Sequence, residues 1–413
     1  MTNRRSVWTA ITLMITLVVL PWTTLTSAEV FNYPTPQTDP NDISFYQAPA
    51  KMQSYPAGAV RVRNVILCIG DGMGLGQVTL ARMKAIGAEG KIHMQRLPVH
   101  GLISTHSANK LVTDSAAGGT ALACGIKTNN GMIGMAPDET PYYSILEAAQ
   151  AKGMATGLVV TCTMSHATPA SFGSHVKSRK MEPEIAAQLI GNRINVLFGG
   201  GRKYFLPKSH SDSGRKDDRD LLAEAEDAGY TVIGTANQLR WVRGPLVLGL
   251  FQLDGLTTLS PEPMLAEMTR KAIDILDETA TDSRKYGRGF FLMVEGSQID
   301  WACHANKAEA CARQVLLFDE AVRAAVDFAV ADGRTLVVVT ADHETGGLTI
   351  PEGSLKGDEI KAHWSTRGHS ASPVPVYAIG PKSERFGGVY DNTEVPQRIA
   401  QTLGIKPFPQ ARK

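Results

Sequence analysis

Side chains that could bind a metal ion recur in short runs along this sequence. They are Asp300 with His304 four residues later, the adjacent pair Asp342 and His343, and His369 directly after a glycine. Imidazole and carboxylate ligands in combination favour zinc, whereas an all-oxygen set would favour magnesium. If these runs meet in space, they would support metal-assisted transfer of a charged group such as phosphate.

Two other motifs offer an acidic ligand and a nucleophile. Asp71 lies in Ile-Gly-Asp-Gly-Met-Gly after an apolar run, and Ser115 follows Asp114 at the start of a stretch of small residues. This stretch is typical of a helix N-terminus, where free backbone N–H groups attract anions and a metal could activate a hydroxyl. The alternative for Ser115 is an N-cap, and the alternative for Asp300 and His304 is an ordinary pair on a helix surface.

The elements that must position these residues alternate along the chain. Short apolar runs predict strands covered on both faces, because their hydrophobicity is continuous rather than alternating. The runs are 64–69, 157–161, 195–198, 290–294, 335–340 and 374–379, and the helix-like segments between them are 143–152, 183–191, 220–228, 263–280 and 308–331. This order predicts a doubly wound α/β fold, whose ligands bind at the carboxyl ends of the strands. Asp71, Glu295 and Asp342 follow such runs, so we expect them to converge.

The first residues are typical of an export signal. Arg4 and Arg5 precede an apolar run from 7 to 20, and small residues at 26–28 offer a cleavage site. The apolar run is short for a membrane span, and an uncleaved anchor is the alternative. We therefore expect a signal peptide at 1–28 and a periplasmic or secreted mature protein, exported by either the general or the twin-arginine route.

The rest of the chain is balanced in charge and long enough for a large core. The 42 Lys and Arg residues face 40 Asp and Glu residues, and the loss of two arginines with 1–28 would leave 40 of each. This neutrality argues against nucleic-acid binding and general attraction to membranes. Residues 29–60 lack periodicity and predict an extended arm, and 61–413 predict one domain with polar insertions at 207–220 and 344–368.

The cysteine count leaves one pairing open. Five cysteines are an odd number, so at least one stays free or pairs outside the chain. Export would permit a disulfide between Cys303 and Cys311, although their spacing does not fix the geometry that a disulfide needs. Cys68, Cys124 and Cys162 are expected to be buried.

The spaced motifs resemble those of the alkaline phosphatase family over about residues 60–405. The resemblance implies a three-layer α/β/α sandwich with a central, largely parallel mixed sheet. It also implies hydrolysis of small-molecule phosphate monoesters, with Ser115 phosphorylated and then dephosphorylated by water. Family members are commonly homodimers, and residues 344–368 occupy the position of their variable crown insertion, which is short here.

The resemblance assigns the metal ligands to three sites, the first two for zinc and the third usually for magnesium. The ligands are Asp300, His304 and His369 for the first site, Asp71, Asp342 and His343 for the second, and Asp71, Thr168 and Glu295 for the third. His166 stands at the third site where some relatives have aspartate, and Trp301 stands where some have lysine or histidine. An imidazole there would shift the preference of the site from magnesium towards zinc or cobalt.

The resemblance also gives a role to Arg179, which lies thirteen residues after His166, at the family spacing for the arginine that binds phosphate. A planar guanidinium suits two phosphoryl oxygens, and the alternative is a solvated surface charge. The other histidines match no ligand position and are expected at the surface or satisfied in the core. They are His93, His100, His106, His175, His210 and His363.

Two rival functions fit parts of the pattern. A related metal-dependent phosphodiesterase would need no third metal and would usually lack the arginine, so Thr168, Arg179 and Glu295 favour monoesters. A secreted metal- or phosphate-binding protein without turnover is the second rival. The full ligand set with a matching nucleophile favours an enzyme.

Overall fold

The computed structural model describes residues 38–49, 55, 61–282 and 285–412 of the chain. The expected signal at 1–28 and most of the expected arm at 29–60 lie outside the described residues. Within those ranges, none of the helices combines the length and the apolar character that crossing a lipid bilayer requires.

Strands and helices alternate through most of the described chain. The strands are β1 (Asn64–Gly70), β2 (Val99–Ser104), β3 (Ala155–Thr163), β4 (Val196–Gly200), β5 (Thr231–Ile233), β6 (Val247–Leu250), β7 (Phe290–Gly296), β8 (Thr335–Thr340), β9 (Glu344–Thr345), β10 (Leu348–Glu352), β11 (Lys361–Trp364), β12 (His369–Ser370), β13 (Val374–Ile379) and β14 (Gly388–Asp391). The α-helices are α1 (Leu75–Ile86), α2 (Ser115–Cys124), α3 (Ile145–Ala151), α4 (Ala167–Gly173), α5 (Glu182–Gly191), α6 (Leu221–Asp227), α7 (Ala236–Trp241), α8 (Leu265–Asp282), α9 (Gln298–His304), α10 (Ala308–Asp332) and α11 (Glu394–Leu403). Every predicted strand and helix is present, with ends within two residues of those predicted.

The main sheet of the described chain has ten strands in the order β14-β2-β13-β8-β1-β7-β3-β4-β6-β5. Its neighbouring strands are parallel except where β13 pairs with β2 and with β8. Strand β13 therefore runs against the other nine, and the sheet is largely parallel but mixed, as the resemblance implies. Parallel neighbours need long crossover connections, which the helices supply.

Helices cover both faces of this sheet. Phe290 and Phe291 are consecutive in β7, so their side chains point to opposite faces. The Phe290 ring lies 5.7 Å from that of Phe328 in α10, and the Phe291 ring stacks 6.2 Å from that of Phe172 in α4. Both β7 rings are fully buried, and burial of each side chain contributes roughly 1.5–3 kcal/mol to stability. The three-layer α/β/α expectation is confirmed.

One described part of the expected arm packs on α10 without regular secondary structure. Phe45 is buried, and the Tyr46 hydroxyl donates a 2.7 Å hydrogen bond to Asp319 of that helix. Asp319 also accepts hydrogen bonds of 2.8 Å from the backbone N–H groups of His93 and Met94. The hydrogen bond from Tyr46 therefore attaches this segment to α10.

The two polar insertions differ in structure. Residues 207–220 form mostly exposed turns, apart from Arg215, which is 6% exposed. Its guanidinium is satisfied by Asp217 and by the backbone carbonyls of Pro183 and Tyr204. Residues 344–368 contain β9 and the antiparallel pair β10 and β11.

Candidate active site

The carboxyl ends of four neighbouring strands, β8, β1, β7 and β3, form the rim that carries the candidate residues. Ile69 of β1 pairs with Glu295 of β7 and with Thr340 of β8, so these positions lie at one level across the sheet. Asp71 and Asp342 each follow two residues beyond that level. Side chains that are far apart in sequence therefore meet, as predicted.

The first cluster surrounds the fully buried ring of His343. Its Nε2 atom lies 3.4 Å from Asp71 Oδ1 and 3.2 Å from Asp342 Oδ2. The same nitrogen lies 3.2 Å from Ser115 Oγ. All four side chains are buried, and the hydroxyl therefore shares its surroundings with two carboxylates.

The second cluster joins Asp300 and His304, one turn apart on α9, to His369 of β12. His304 Nε2 lies 3.3 Å from Asp300 Oδ2 and 3.2 Å from His369 Nε2. His369 Nδ1 lies 2.8 Å from the carbonyl oxygen of Thr113, and His304 Nδ1 lies 2.5 Å from that of Arg367. Since a carbonyl can only accept, both Nδ1 atoms donate, so the Nε2 atom of each ring is the one that could bind an ion once it is deprotonated.

The two clusters are in direct contact. The rings of His343 and His369 stack with centroids 3.6 Å apart. The Thr345 hydroxyl donates a 2.5 Å hydrogen bond to Asp300 Oδ1 and lies 3.3 Å from His343 Nδ1. Sequence reasoning missed Thr345, although its place two residues after His343 at a strand end was a usable signal.

A third cluster lies between β3 and β7. Single donor atoms of Cys162, His166 and Glu295 all lie within 4.8 Å of one another. Thr168, on the first turn of α4, is also fully buried. His166, Thr168 and Glu295 were expected here, whereas Cys162 was expected only to be buried.

Several donor atoms in these clusters are buried and have no hydrogen-bond partner. They are both carboxylate oxygens of Asp71, Asp342 Oδ2, Glu295 Oε1, Thr168 Oγ1 and His166 Nδ1. A buried polar atom without a partner costs a few kcal/mol, and an unpaired charge costs more. Bound cations would satisfy all of these atoms at once, so the residues fit a multinuclear metal site.

The pKa values of the buried carboxylates also indicate that a cation would stabilise their ionised forms. Burial raises the pKa of Asp71 well above its usual range, and the charges of Asp342, Asp300 and Glu295 raise it further. Burial also raises the pKa of Asp342 and that of Glu295 to about 7 each. A nearby cation would favour the ionised forms and reverse these shifts.

Most of the imidazoles are neutral, which is the form that binds metal. Burial lowers the pKa of His343 to about 4 and that of His166 to about 3, and it also lowers the pKa of His369. The hydrogen bond with Asp300 instead raises the pKa of His304 to about 9. Burial alone would raise the pKa of Asp300, but its hydrogen bonds with His304 and Thr345 outweigh burial and lower it.

Ser115 is the first residue of α2, and the N-cap alternative for it is wrong. Asp114 is the N-cap, since its Oδ1 accepts a 3.0 Å hydrogen bond from the Ala117 N–H. The serine hydroxyl is therefore free for another task. A Cβ on Gly118 would lie 2.9 Å from the Asp342 carbonyl oxygen, so glycine there lets α2 approach the end of β8.

Arg179 lies at the mouth of the site rather than free on the surface. Its Nη1 donates a 3.4 Å hydrogen bond to Asp114 Oδ2, and its Nη2 lies 3.1 Å from His166 Nε2. Its side chain is 27% exposed, which leaves the guanidinium open to a ligand. Sequence reasoning did not foresee that Asp114 positions this arginine.

The remaining histidines and the cysteine pair lie outside the clusters. None of the six unmatched histidines belongs to a candidate metal group among the described residues. His175, for example, bonds the Gly134 carbonyl oxygen and Glu147. Cys303 and Cys311 are buried free thiols whose Sγ atoms lie 3.4 Å apart.

Gly72 makes the close approach of β1 and α9 possible. It has φ +73°, and a Cβ there would lie 2.7 Å from Thr345 Oγ1 and 2.9 Å from Asp300 Cα. We predict that Gly72→Ala lowers the free energy of unfolding by about 2–4 kcal/mol and weakens binding of added metal ions. Gly404→Ala is the control, because φ is +68° and only the flexible Lys152 Nζ lies within 3.4 Å. Urea unfolding and zinc titration would contradict the prediction if the two variants behaved alike.

Known proteins share this sequence pattern. A sequence profile described as alkaline phosphatase matches residues 62–360 and 356–405. Alkaline phosphatase 4 of Bacillus subtilis is 35% identical over 425 residues, covering 83% of this chain and 89% of that protein. Streptomycin-6-phosphate phosphatase of Streptomyces griseus is 35% identical over 418 residues, covering 85% of this chain and 92% of that protein.

Solved structures share the fold. Alkaline phosphatase from the Antarctic bacterium TAB5 has 37% identity and a TM-score of 0.75, covering 84% of this chain and 99% of that chain. A variant of it in which a histidine is replaced by aspartate, with 36% identity, a TM-score of 0.73 and the same coverage, is described with magnesium bound in its M3 site. Thermus thermophilus alkaline phosphatase has 26% identity and a TM-score of 0.75, covering 88% and 95% of the two chains. This chain therefore belongs to the alkaline phosphatase family of phosphomonoester hydrolases.

Proposed function

We propose that this protein hydrolyses phosphate monoesters to an alcohol and inorganic phosphate through a phosphoserine intermediate on Ser115. The observation that carries the proposal is the position of Ser115 Oγ, 3.2 Å from His343 Nε2 in a cluster of buried carboxylates that lack partners. A phosphate monoester is a dianion that repels nucleophiles, and its uncatalysed hydrolysis is among the slowest known. A site that concentrates positive charge beside a hydroxyl would reduce this repulsion and lower the barrier to attack on phosphorus.

The proposed cofactors are two zinc ions and a third ion, with magnesium, zinc and cobalt as the candidates. The proposed ligands are Asp300, His304 and His369 for the first zinc, Asp71, Asp342 and His343 for the second, and Asp71, His166, Thr168 and Glu295 for the third ion. When bound, the metals would act as Lewis acids that offset the negative charge of the phosphate. They would also lower the pKa of the attacking hydroxyl and stabilise negative charge on the leaving oxygen. The magnesium reported in the M3 site of the TAB5 variant supports a third position.

The chain's own residues then perform two displacements. Ser115 Oγ attacks phosphorus and gives its proton to solvent, while the bond between phosphorus and the ester oxygen breaks and that oxygen takes up a proton to leave as the alcohol. Water next attacks the phosphoserine, which releases inorganic phosphate and restores the hydroxyl. Two in-line displacements retain the configuration at phosphorus. Arg179 and the backbone N–H groups at the start of α2 bind the equatorial oxygens.

The direct test is phosphate release from an aryl phosphate with and without a chelator. We expect rapid release that falls by about 10³-fold or more after chelation and returns when zinc is added, because the dications carry most of the charge stabilisation. A matched aryl phosphate diester distinguishes the related phosphodiesterase. Activity that chelation leaves unchanged would contradict the metal-dependent mechanism, and faster cleavage of the diester would favour the phosphodiesterase.

Arg179→Ala is expected to lower kcat/KM for the monoester by about 10²–10³-fold, the usual loss for one donor to a developing phosphoryl charge. The decrease in kcat/KM for the diester should be at least about 10-fold smaller, because the diester has one anionic oxygen fewer for the arginine to bind. Arg179→Lys should restore part of the loss, since lysine keeps the charge but not the planar pair of donors. Lys180→Ala, at an exposed neighbour, is the control. Equal losses for both substrates would contradict a role in binding the dianion.

The cellular setting is also a proposal. We propose that residues 1–28 are a signal peptide, that 29–60 form an arm and that the mature protein is periplasmic or secreted. The basic pair Arg4 and Arg5 before an apolar run supports export. A homodimer and a crown-like role for 344–368 are further proposals that rest on the family.

A further inference from the structure

Cys162 lies where the third metal ion would bind. Its side chain is fully buried, and its Sγ lies 3.4 Å from Glu295 Oε2 and 3.3 Å from the Thr163 carbonyl oxygen. Its sulfur, a donor of His166 and a carboxylate oxygen of Glu295 lie within 4.8 Å of one another. Donors this close could converge on one ion at ordinary metal–ligand distances of about 2.0–2.3 Å after small side-chain adjustments.

The pairing of β3 with β7 brings this end of β3 beside Glu295. Val160 of β3 pairs with Glu295 of β7 in parallel register, so their side chains share one face of the sheet. Cys162 lies two residues after Val160, within an irregularity of β3 between Val159 and Thr163, and its Sγ reaches the Glu295 carboxylate. The Ser297 hydroxyl holds this end of β3 by accepting a 3.1 Å hydrogen bond from the Cys162 N–H.

The other donors around the thiol have unused capacity. Glu295 is fully buried, yet its Oε1 has no hydrogen-bond partner. Thr168 Oγ1 and His166 Nδ1 are also buried and unpartnered. The buried thiol of Cys124 differs, because its sulfur contacts only the backbone carbonyls of Tyr142 and Ser171. A cysteine with a purely structural role would not need unsatisfied ligands around it.

We propose that Cys162 is a ligand of the third metal ion and makes that site select zinc or cobalt over magnesium. This inference rests on the proposed function, because it specifies the chemistry of one of its metal positions. Soft thiolate ligands select zinc and cobalt, whereas magnesium requires oxygen ligands in near-ideal octahedral geometry. On binding, the S–H bond breaks, the proton is released to solvent and a sulfur–metal bond forms, with no change of oxidation state.

The first test is the absorption spectrum of full-length protein loaded with cobalt(II). Cobalt bound to a thiolate shows ligand-to-metal charge transfer in the near ultraviolet, which imidazole and carboxylate ligands do not give. We expect this band in the wild-type protein and in Cys124→Ser, and its loss in Cys162→Ser. A band that persists in Cys162→Ser, or that is absent from wild-type protein with three bound equivalents, would overturn the proposal.

The second test needs no variant, so a folding defect in Cys162→Ser cannot obscure the answer. X-ray absorption of the protein with three zinc equivalents should show sulfur at about 2.3 Å, averaging one sulfur per three zinc ions. Scattering from nitrogen and oxygen alone would overturn the assignment. If Cys162→Ser folds, its zinc-over-magnesium preference should fall about 10-fold or more, measured as bound metal in competition.

These readouts separate this inference from the proposed function. If three ions bind and phosphate is released without a sulfur ligand, the ligand role of Cys162 is wrong and the phosphatase mechanism stands. If fewer than three ions bind at saturation, the third site of the proposed function is wrong, and this inference is wrong with it.

Discussion

Ser115→Ala is expected to lower kcat for an aryl phosphate by about 10³-fold or more, because the variant has no hydroxyl to attack phosphorus. The phosphoenzyme trapped by rapid acid quenching of wild-type protein should be absent. Metal content should not change, since the serine hydroxyl contacts the cluster through His343 but completes no ligand set. The α2 helix should persist, because Asp114 rather than Ser115 is its cap.

Ser171→Ala is the matched control for this result. Ser171 is also fully buried, and its hydroxyl donates a 2.8 Å hydrogen bond to the Ala167 carbonyl within α4. Its loss should cost about 1 kcal/mol of stability and leave phosphoenzyme formation intact. Near-normal turnover by Ser115→Ala with full metal content would show that water attacks the ester directly.

Metal removal is expected to make the protein less stable as the pH rises from about 6.5 to 9. In the metal-free state the pKa values of Asp342 and Glu295 are about 7, and that of His304 is about 9. All three exceed their unfolded values, so the folded state binds more protons in this window and stability falls with rising pH. The loss should be roughly 2 kcal/mol, with the share of His304 discounted because its side chain is 40% exposed. Below about pH 6.5 the buried imidazoles, whose pKa values are lowered, oppose this trend.

Thermal unfolding across this range, with and without zinc, measures the effect. With zinc bound, stability should no longer fall as the pH rises. Protons and zinc compete for the same ligands, and fewer protons compete at higher pH. Zinc should also add about 4 kcal/mol of stability at a thousandfold excess over its Kd. A metal-free protein whose unfolding temperature rises from pH 6.5 to 9 would contradict the carboxylate cluster as the origin of the instability.

Sequence reasoning predicted the buried centre of the fold well and its edge poorly. The runs that became β1, β7 and β8 are continuous in hydrophobicity because helices cover both of their faces. Strand β2 lies near the sheet edge and is largely half-exposed, so it lacks that signal. The reversal of β13 was also invisible, because an apolar run does not encode its direction.

In the site, too, positions that depend on one segment could be predicted, and contacts that depend on two segments could not. Asp71 and Asp342 could be placed because each follows a strand, and the ends of parallel strands meet at one edge. The contact of Cys162 with Glu295 depends on the register of β3 against β7, which neither segment specifies alone. The position of Arg179 depends on Asp114, a residue whose capping role was visible only once α2 was located.

The order of the rim residues along the polypeptide has a consequence for biogenesis. Asp71 is made early in synthesis and His369 late, and their clusters touch only when β1 lies beside β8 and β12 has joined β9. A nascent chain therefore has scattered, low-affinity ligands rather than a partial site. High-affinity metal binding would therefore follow the folding of these strands, and the compartment where folding finishes would determine which ions are offered to the site.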